Sequence, residues 1–382
     1  MEKPAKHLVI VAGDPSGDIH AAQLIREINK IDSAIRFSGV GGQQMQSAGV
    51  EIDHDLTKIS SIGFFEFFKH LGEIQKTFKL ILQKVEAVKP DAVILIDYAG
   101  FNLRLAKELK KKNLKVFFYI SPQVWASREG RVKAIRRYVD KLFVFFKFEE
   151  EFYAKRNVQV EFVGHPLLDS AKPAHSAEDF SRLSGLDPKK LTVGLMPGSR
   201  PKEIDLHLPI MIEAARLLSE EYQRLQFIVM KAPHLEMTLF EPHLRNCHFP
   251  IRIINGQTYD AINVSQVCVV ASGTATLELA IFEKPMVVIY KTSVLTWFLA
   301  KMLIKIPYIA MVNIISGKMI VPEYVQFDAT PENIVKELQF ILKDELKVAA
   351  MRAELKMVRF SLGAPGASAR AAEKILNLLN NA

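Results

Sequence analysis

Short, almost uninterrupted apolar runs alternate along this chain with longer stretches whose apolar positions return every three or four residues. His7–Val11, Ile35–Val40, Asp91–Ile96, Leu114–Ile120, Lys141–Phe146 and Val160–Val163 are too short and too continuously apolar for surface helices. They read as buried strands of a parallel sheet. The stretches from about Ile19 to Asn29, Ser61 to Lys89, Asn102 to Lys112, Arg128 to Tyr138 and Phe148 to Arg156 carry the helical period. After a mixed polar stretch from about Ser170 to Lys190, with Pro173 and Pro188, which reads as a linker, the alternation restarts. Leu191–Met196, Phe227–Met230, Ile251–Ile254, Val267–Val270 and Met286–Tyr290 are its strands. The pattern predicts an α/β chain with two doubly wound, Rossmann-like domains in tandem, facing a cleft. The expected domains are residues 1–168 and 187–350, with a C-terminal helix over 366–382 joined to the first.

Loops that follow such strands are where ligands bind, and several here carry chemistry. Ala271-Ser272-Gly273-Thr274-Ala275-Thr276-Leu277-Glu278 passes from strand through small residues into a helix. Unpaired N–H groups, a glycine and three hydroxyls suit a phosphate, although a capped helix start would look the same. Arg200, in Pro197-Gly198-Ser199-Arg200, offers a planar fork for a diphosphate. Glu278, about a turn into its helix, would repel phosphate but can accept from ribose hydroxyls. Asp97 ends a buried strand, where it is either a general base or a helix cap. Asn313, Glu323 and Gln326 lie in a stretch read as a loop and are within the choice for a nucleotide or for turn chemistry. The basic run Arg128, Arg131, Lys133, Arg136 and Arg137 is either a solvated face or a phosphate site.

Other signals exclude alternatives. Ala12-Gly13-Asp14-Pro15-Ser16-Gly17-Asp18 is not G-x-G-x-x-G, and the second strand ends in Gly41-Gly42 rather than an acid for a ribose. Both facts argue against a dinucleotide dehydrogenase. Asp53-His54-Asp55 has metal-binding spacing but reads better as a solvated loop. Phe64, Phe65, Phe67, Phe68 and Leu71 crowd one helix, which is buried on two sides or docked on a membrane with Lys69, Lys76 and Lys79 at its rim. Leu295–Ile306 is amphipathic and open to the same two readings.

Composition narrows this further. With 382 residues and 49% hydrophobic content the chain can bury two cores. Its two cysteines, Cys247 and Cys268, have neither metal nor redox spacing. A formal charge of +8 favours anionic partners. The start of the chain shows no signal-peptide pattern, and no apolar run reaches the length of a membrane span.

In shared order along nearly the whole chain, these residues resemble the lipid-A-disaccharide synthase family. The pieces are Ala12-Gly13 with Ser16-Gly17-Asp18, Gly39-Val40-Gly41-Gly42 with Met45, Ile96-Asp97 with Phe101-Asn102, and Ser121-Pro122 with Val124-Trp125-Ala126. Val163-Gly164-His165, Pro197 to Arg200, Ala271 to Glu278, Pro285 to Val288 with Tyr290, and Pro322-Glu323 with Gln326 complete them. Departures from the family pattern are Asp14 for Glu, Ala99-Gly100 for Pro-Asp, Ser127 for Trp, and Phe146-Lys147 for Leu-Pro; Asn313 also lacks the usual preceding proline.

The resemblance implies GT-B architecture and an inverting glycosyltransferase. It would condense UDP-2,3-diacylglucosamine with 2,3-diacylglucosamine 1-phosphate (lipid X) to a β-1,6-linked disaccharide phosphate and UDP. It implies Asp97 as base, with Asp14 in reserve. Ser199, Arg200, Ser272, Gly273, Thr274, Ala275, Thr276, Glu278 and Asn313 would hold the donor. Ser16, Gly17, Arg128 and Arg131 would hold the acceptor, and Phe64 to Leu71 would dock on the membrane. No metal, cofactor or nucleic acid is expected. The implied location is peripheral, on the cytoplasmic face of the inner membrane, with a second copy of the chain left open as a partner. The rival readings are a UDP-sugar epimerase or hydrolase of the same architecture, and a non-catalytic nucleotide- or lipid-binding protein.

Overall fold

The computed structural model describes residues 5–57, 71–303 and 306–380. They form two compact units, Met1–Pro166 with Leu362–Ala382, and Leu167–Ser361.

The first unit is built on seven parallel strands: β1 (His7–Ala12), β2 (Arg36–Val40), β3 (Glu51–His54), β4 (Ala92–Ile96), β5 (Val116–Tyr119), β6 (Lys141–Val144) and β7 (Val160–Phe162). Its helices are α1 (Pro15–Ile31), α2 (Gln43–Ser47), α3 (Leu71–Val88), α4 (Ala99–Lys111), α5 (Val132–Tyr138) and α6 (Lys147–Ala154). The period of two along each strand splits the core into two layers. Leu8, Ile10 and Ala12 face α1 and the C-terminal helix through Ile25 and Ile375. Val9 and Val11 face the other way, towards Leu105 and Leu109 of α4. With helices on both faces, β4 is buried at every residue, which is why it reads as a continuous apolar run.

Strand order is β3-β2-β1-β4-β5-β6-β7, so the direction of winding reverses between β1 and β4. Ala12 pairs with Ile96 at the carboxyl ends of these two strands. A crevice opens at such a point because the two following loops turn away in opposite directions. Here those loops begin Gly13-Asp14 and Asp97-Tyr98.

The second unit repeats the plan with six parallel strands: β8 (Leu191–Met196), β9 (Leu225–Lys231), β10 (Ile251–Asn255), β11 (Val267–Ala271), β12 (Met286–Tyr290) and β13 (Glu323–Val325). They are ordered β10-β9-β8-β11-β12-β13, and winding reverses between β8 and β11. Val270 pairs with Met196, which brings the loops after Met196 and after Ala271 side by side. The helices that matter below are α7 (Leu167–Ser170), α8 (Ala177–Leu183), α9 (Pro201–Glu221), α10 (Glu241–Leu244), α11 (Thr258–Val264), α12 (Ala275–Ile281), α13 (Val294–Leu303) and α14 (Met311–Ser316). The remaining helices are α15 (Pro331–Lys343), α16 (Glu345–Ser361) and α17 (Ala367–Asn380), the last packed on α1 of the first unit.

Four stretches differ from the reading of the sequence. Asp53 and His54, taken as part of a solvated loop, lie half-buried in β3. Within Ser170–Lys190, taken as a linker, α8 starts at a Ser176 cap and buries Phe180 completely. The stretch from Met311 to Gln326, taken as a loop, holds α14 and the edge strand β13. Arg128 has a left-handed backbone (φ 59°), so regular helix starts only at Val132. Phe64, Phe65, Phe67 and Phe68 lie outside the described residues, as does the side chain of Leu71. Among the described residues no helix is long and apolar enough to cross a membrane.

Candidate active site

In the first unit the geometry centres on Asp97. Both Asp97 and Tyr98 are left-handed (φ 43° each), so β4 breaks sharply into α4 instead of fading into it. Two such residues cost on the order of 1–3 kcal/mol each. Asn102, fully buried, braces the break: its amide donates to the carbonyls of Ile96 (3.0 Å) and Asp97 (2.8 Å). The Tyr98 ring then lies on Gly13, where any β-carbon would enter the ring. Asp14 caps α1, its carboxylate accepting from the Gly17 N–H at 2.6 Å. Burial, then the charge of Asp14, push the Asp97 carboxyl up to about 6, against a smaller opposing effect of the Tyr98 N–H. A carboxylate held near neutrality at a strand tip is suited to take a proton.

The other predicted residues of this unit fall into two groups. Ser16 is exposed beside Asp14, whereas the Gly17 N–H is already taken by Asp14. Arg131 lies near Gly100, whose β-carbon, if present, would sit 3.9 Å from its guanidinium, while Arg128 is exposed. Burial and the charges of Arg128 and Arg104 hold Arg131 below the ordinary arginine range. Asp53 is paired with Lys84 at 3.0 Å and Asp55 accepts from Thr57, so the D-x-D stretch is used internally. Glu149 was not singled out from the sequence. Its buried carboxyl, raised to about 7 by desolvation, accepts from the Phe146 N–H (3.2 Å) and the Trp125 indole (3.3 Å), fixing the aromatic loop after β5.

In the second unit the loops after β8 and β11 bound a cavity of about 390 Å³, lined by Gly198, Ser199, Arg200, Ser272, Gly273, Thr274, Ala275 and Glu278 among others. Gly273 has φ 155° and nothing within 4 Å of a notional β-carbon, so the backbone there is open to a ligand. The N–H groups of Gly273, Thr274 and Ala275 find no acceptor among the described residues. Three adjacent free amides can receive an anion without any side chain.

The hydroxyls expected beside them divide. Thr274 is exposed, but Ser272 donates to Ile309 O (2.7 Å) and the fully buried Thr276 donates to Gly273 O (2.8 Å). Arg200 is 77% exposed and paired with Glu203, at 3.3 Å. Burial raises the Glu278 carboxyl, and Tyr259 donates to it at 3.4 Å.

Asn313 was expected at the nucleotide, and its surroundings correct that expectation. It is fully buried; its amide donates to Val321 O and Glu323, and its carbonyl oxygen accepts from Ile320 and Val321 N–H. No side-chain bond is left over for a ligand. Glu323 in turn accepts from the N–H groups of Ile309 and Ala310. Asn313 therefore shapes the segment on which Ser272 leans. Glu203 and His207, missed in the sequence, hold the other loop. They are four residues apart after a Pro at the helix start, a spacing that puts both on the loop-facing side of α9.

Comparison with known proteins bears on the family and the fold. The model of the family described as lipid-A-disaccharide synthetase matches residues 8–376. The lipid-A-disaccharide synthase of Geobacter metallireducens is 41% identical over 376 residues, covering 98% of each chain. Among solved structures, the S. aureus MnaA–UDP co-structure superposes with a TM-score of 0.67 at 14% identity, over 98% of this chain and 97% of that one. CalG4, the calicheamicin glycosyltransferase, gives 0.59 at 13% identity over 99% of each. At such identities the two structures speak for the fold alone, a GT-B fold of two parallel-sheet domains.

Proposed function

The chain belongs to the lipid-A-disaccharide synthetase family, and from that premise we propose that its second unit binds UDP-2,3-diacylglucosamine while its first binds lipid X and activates it. The glycosyltransferase that forms the lipid A disaccharide is thus assigned a donor half and an acceptor half. In the proposed step Asp97 takes the proton of the acceptor 6-hydroxyl. That oxygen attacks C1 of the donor glucosamine from the face opposite the nucleotide. The bond from C1 to the diphosphate oxygen breaks, its electron pair leaving on UDP, and the new linkage is β-1,6.

The observation that carries the reading is Asp97 itself, half-buried at the winding reversal of the first sheet with its carboxyl raised to about 6. At pH 7 to 8 it is ionised yet basic enough to accept a proton. Asp14, engaged as a cap, serves by its charge, which is one reason the Asp97 carboxyl is raised. The leaving diphosphate is assigned to the free amides of Gly273, Thr274 and Ala275 and to Arg200, preorganised positive groups of the kind that stabilise developing charge. Ser199 and Thr274 are assigned to the same phosphates and Glu278 to a ribose hydroxyl. Ser16, Arg128 and Arg131 are assigned to lipid X, the two arginines to its phosphate.

Acylated substrates reside in a bilayer, so the proposal includes peripheral docking on the cytoplasmic face of the inner membrane. Phe64, Phe65, Phe67, Phe68 and Leu71 are the first candidates. In support, the helix α13 exposes Leu295 (69%), Phe298 (55%) and Met302 (79%), apolar surface that costs free energy in water.

One assay tests the function: the donor is given with and without lipid X, and UDP and disaccharide are measured. Acceptor-dependent UDP with stoichiometric disaccharide is expected. UDP released without lipid X would favour the hydrolase or epimerase reading, and binding without UDP release would favour a non-catalytic protein.

A further inference from the structure

His207, on α9, is fully buried, yet its ring nitrogens face backbone groups outside its own helix. Its Nδ1 lies 2.8 Å from the carbonyl oxygen of Pro197, the first residue after β8. Its Nε2 accepts the N–H of Lys291, the first residue after β12, at 2.9 Å, and lies 3.2 Å from the Lys291 carbonyl oxygen. A leucine would fill the same volume but leave Pro197 O and Lys291 N–H unpaired in the interior, which is costly.

The two backbone groups do not line the cavity described above but adjoin segments on two of its sides. The Pro197 side continues into Gly198, Ser199 and Arg200, all of which line it. On the other side, Ser272 donates its N–H to Ile289 O at 2.9 Å, so the Ser272–Ala275 wall takes its position from the carboxyl end of β12. Lys291 is two residues further along that strand exit. His207 thus ties the Arg200 loop to the same strand end that anchors the amide wall. The other side chains that grip the Arg200 loop make no hydrogen bond to β12 among the described residues: Glu203 accepts from Ser199 N–H (2.9 Å), and His234 lies 2.8 Å from Ser199 O.

We propose that His207 is a positioning residue for the nucleotide diphosphate: as a neutral imidazole protonated on Nδ1, it sets the separation between Arg200 and the Gly273–Ala275 amides. Only that tautomer donates to Pro197 O and accepts from Lys291 N–H at once. Burial, the largest influence, lowers the imidazole pKa and keeps it neutral; the nearby charges are Glu203 on its own helix, which acts upward, and Lys291 across from it, which acts downward. The tie requires both ends, because either half alone leaves one loop free to shift. The inference rests on the reading of this cavity as the UDP site.

The test is UDP binding to the full chain by titration calorimetry at pH 7.5, with donor and acceptor KM measured alongside. His207→Asn places an amide donor near Pro197 O but is too short for Lys291. His207→Gln reaches Lys291 and abandons Pro197. Each is expected to weaken UDP about tenfold, the equivalent of one buried hydrogen bond, and to raise the donor KM while the acceptor KM stays within about twofold. UDP affinity within about twofold of the parent in both folded variants overturns the proposal. Should neither variant fold, the parent protein decides, with its imidazoles labelled in nitrogen-15. His207 is expected to carry its proton on Nδ1 alone and to shift when UDP binds; an Nε2–H tautomer, or signals blind to UDP, overturns it. A parent chain that fails to bind UDP refutes the cavity assignment itself, a different result from bound UDP indifferent to His207.

Discussion

Replacing Asp97 by asparagine separates the catalytic role of this residue from its structural cost. Asparagine keeps the size and the tolerance for the left-handed backbone that Asp97 adopts, so the turn into α4 is not strained further. It removes the base and the buried charge together. General bases contribute about 10²–10⁴ in rate, and a loss of kcat in that range is expected. The stability effect has the opposite sign. The carboxyl ionises at about 6 in the fold against an ordinary 3.8. At 1.36 kcal/mol per pH unit, folding therefore loses at most about 3 kcal/mol when this group is ionised. Because the folded-state value is raised, the folded state binds more protons between those two values, and the penalty grows as pH rises through that window. It is complete above the folded value and absent near pH 4. Asp97→Asn should thus melt higher than the parent at pH 8, by a margin that shrinks to nothing near pH 4. In the parent, kcat/KM should fall about tenfold per pH unit below about 6. The assays are calorimetric melting at both pH values and the acceptor-dependent UDP assay across pH. Near-normal turnover of the variant would refute the base assignment, and equal melting at pH 8 would refute the buried-charge reasoning.

Four further outcomes are expected. Arg200→Ala should weaken UDP by about 1.5–3 kcal/mol, the value of a charged hydrogen bond, without moving the melting temperature, since the side chain is exposed; unchanged affinity counts against it. Gly13→Ala should lower kcat while sparing UDP affinity, because its methyl group would displace the Tyr98 ring next to Asp97; crystallography of the variant would show the displaced ring. Asn313→Leu should cost about 2–4 kcal/mol by orphaning buried groups around Glu323, and should weaken UDP only in step with that unfolding; chemical denaturation measures the first and calorimetry the second. Serines at Leu295, Phe298 and Met302 should reduce cosedimentation with anionic vesicles several-fold and leave melting unchanged, as all three are exposed; a large drop in melting temperature would place them in a core instead.

Both parallel sheets were legible in the sequence for a physical reason. A strand covered on two faces has no polar positions to spare, so Ala92–Ile96 and Val267–Ala271 stand out as unbroken apolar runs, and each is buried throughout. Edge strands lack that signature. Glu323–Val325 is half-buried at every residue, and nothing in its composition separates it from a loop. Phe180 shows the converse, an aromatic side chain in a largely polar stretch, decisive once buried but silent in a pattern. At the site, glycines and strand-tip residues were readable because topology alone delivers them to the crevice. The direction of a side chain was not. Asn313 and Thr276 carry the right groups at the right places in the chain, yet both turn inward to satisfy backbone. His207 carries a group that signals chemistry but acts through hydrogen bonds to two distant loops, which no local spacing could reveal.

The two units use one topological device to opposite electrostatic ends. Each reverses its winding beside its first strand, and each places two loops at the reversal. In the first unit those loops bring two carboxyl groups, Asp14 and Asp97, near enough that the charge of one makes the other harder to ionise. In the second they bring an arginine and free backbone amides, with two carboxyl groups in the lining: Glu203, engaged by Arg200 and the Ser199 N–H, and Glu278, raised by burial. A basic carboxylate serves an incoming hydroxyl, and unpaired positive dipoles serve a departing diphosphate. Exchanging the two environments would defeat both tasks: Asp97 among the amides would ionise too easily to act as a base, and a diphosphate beside Asp14 and Asp97 would be repelled. The proposed division of acceptor and donor between the units rests on the charge each crevice holds, and reversing that charge in the second unit, as by Arg200→Glu, should abolish UDP binding while leaving Asp97 intact.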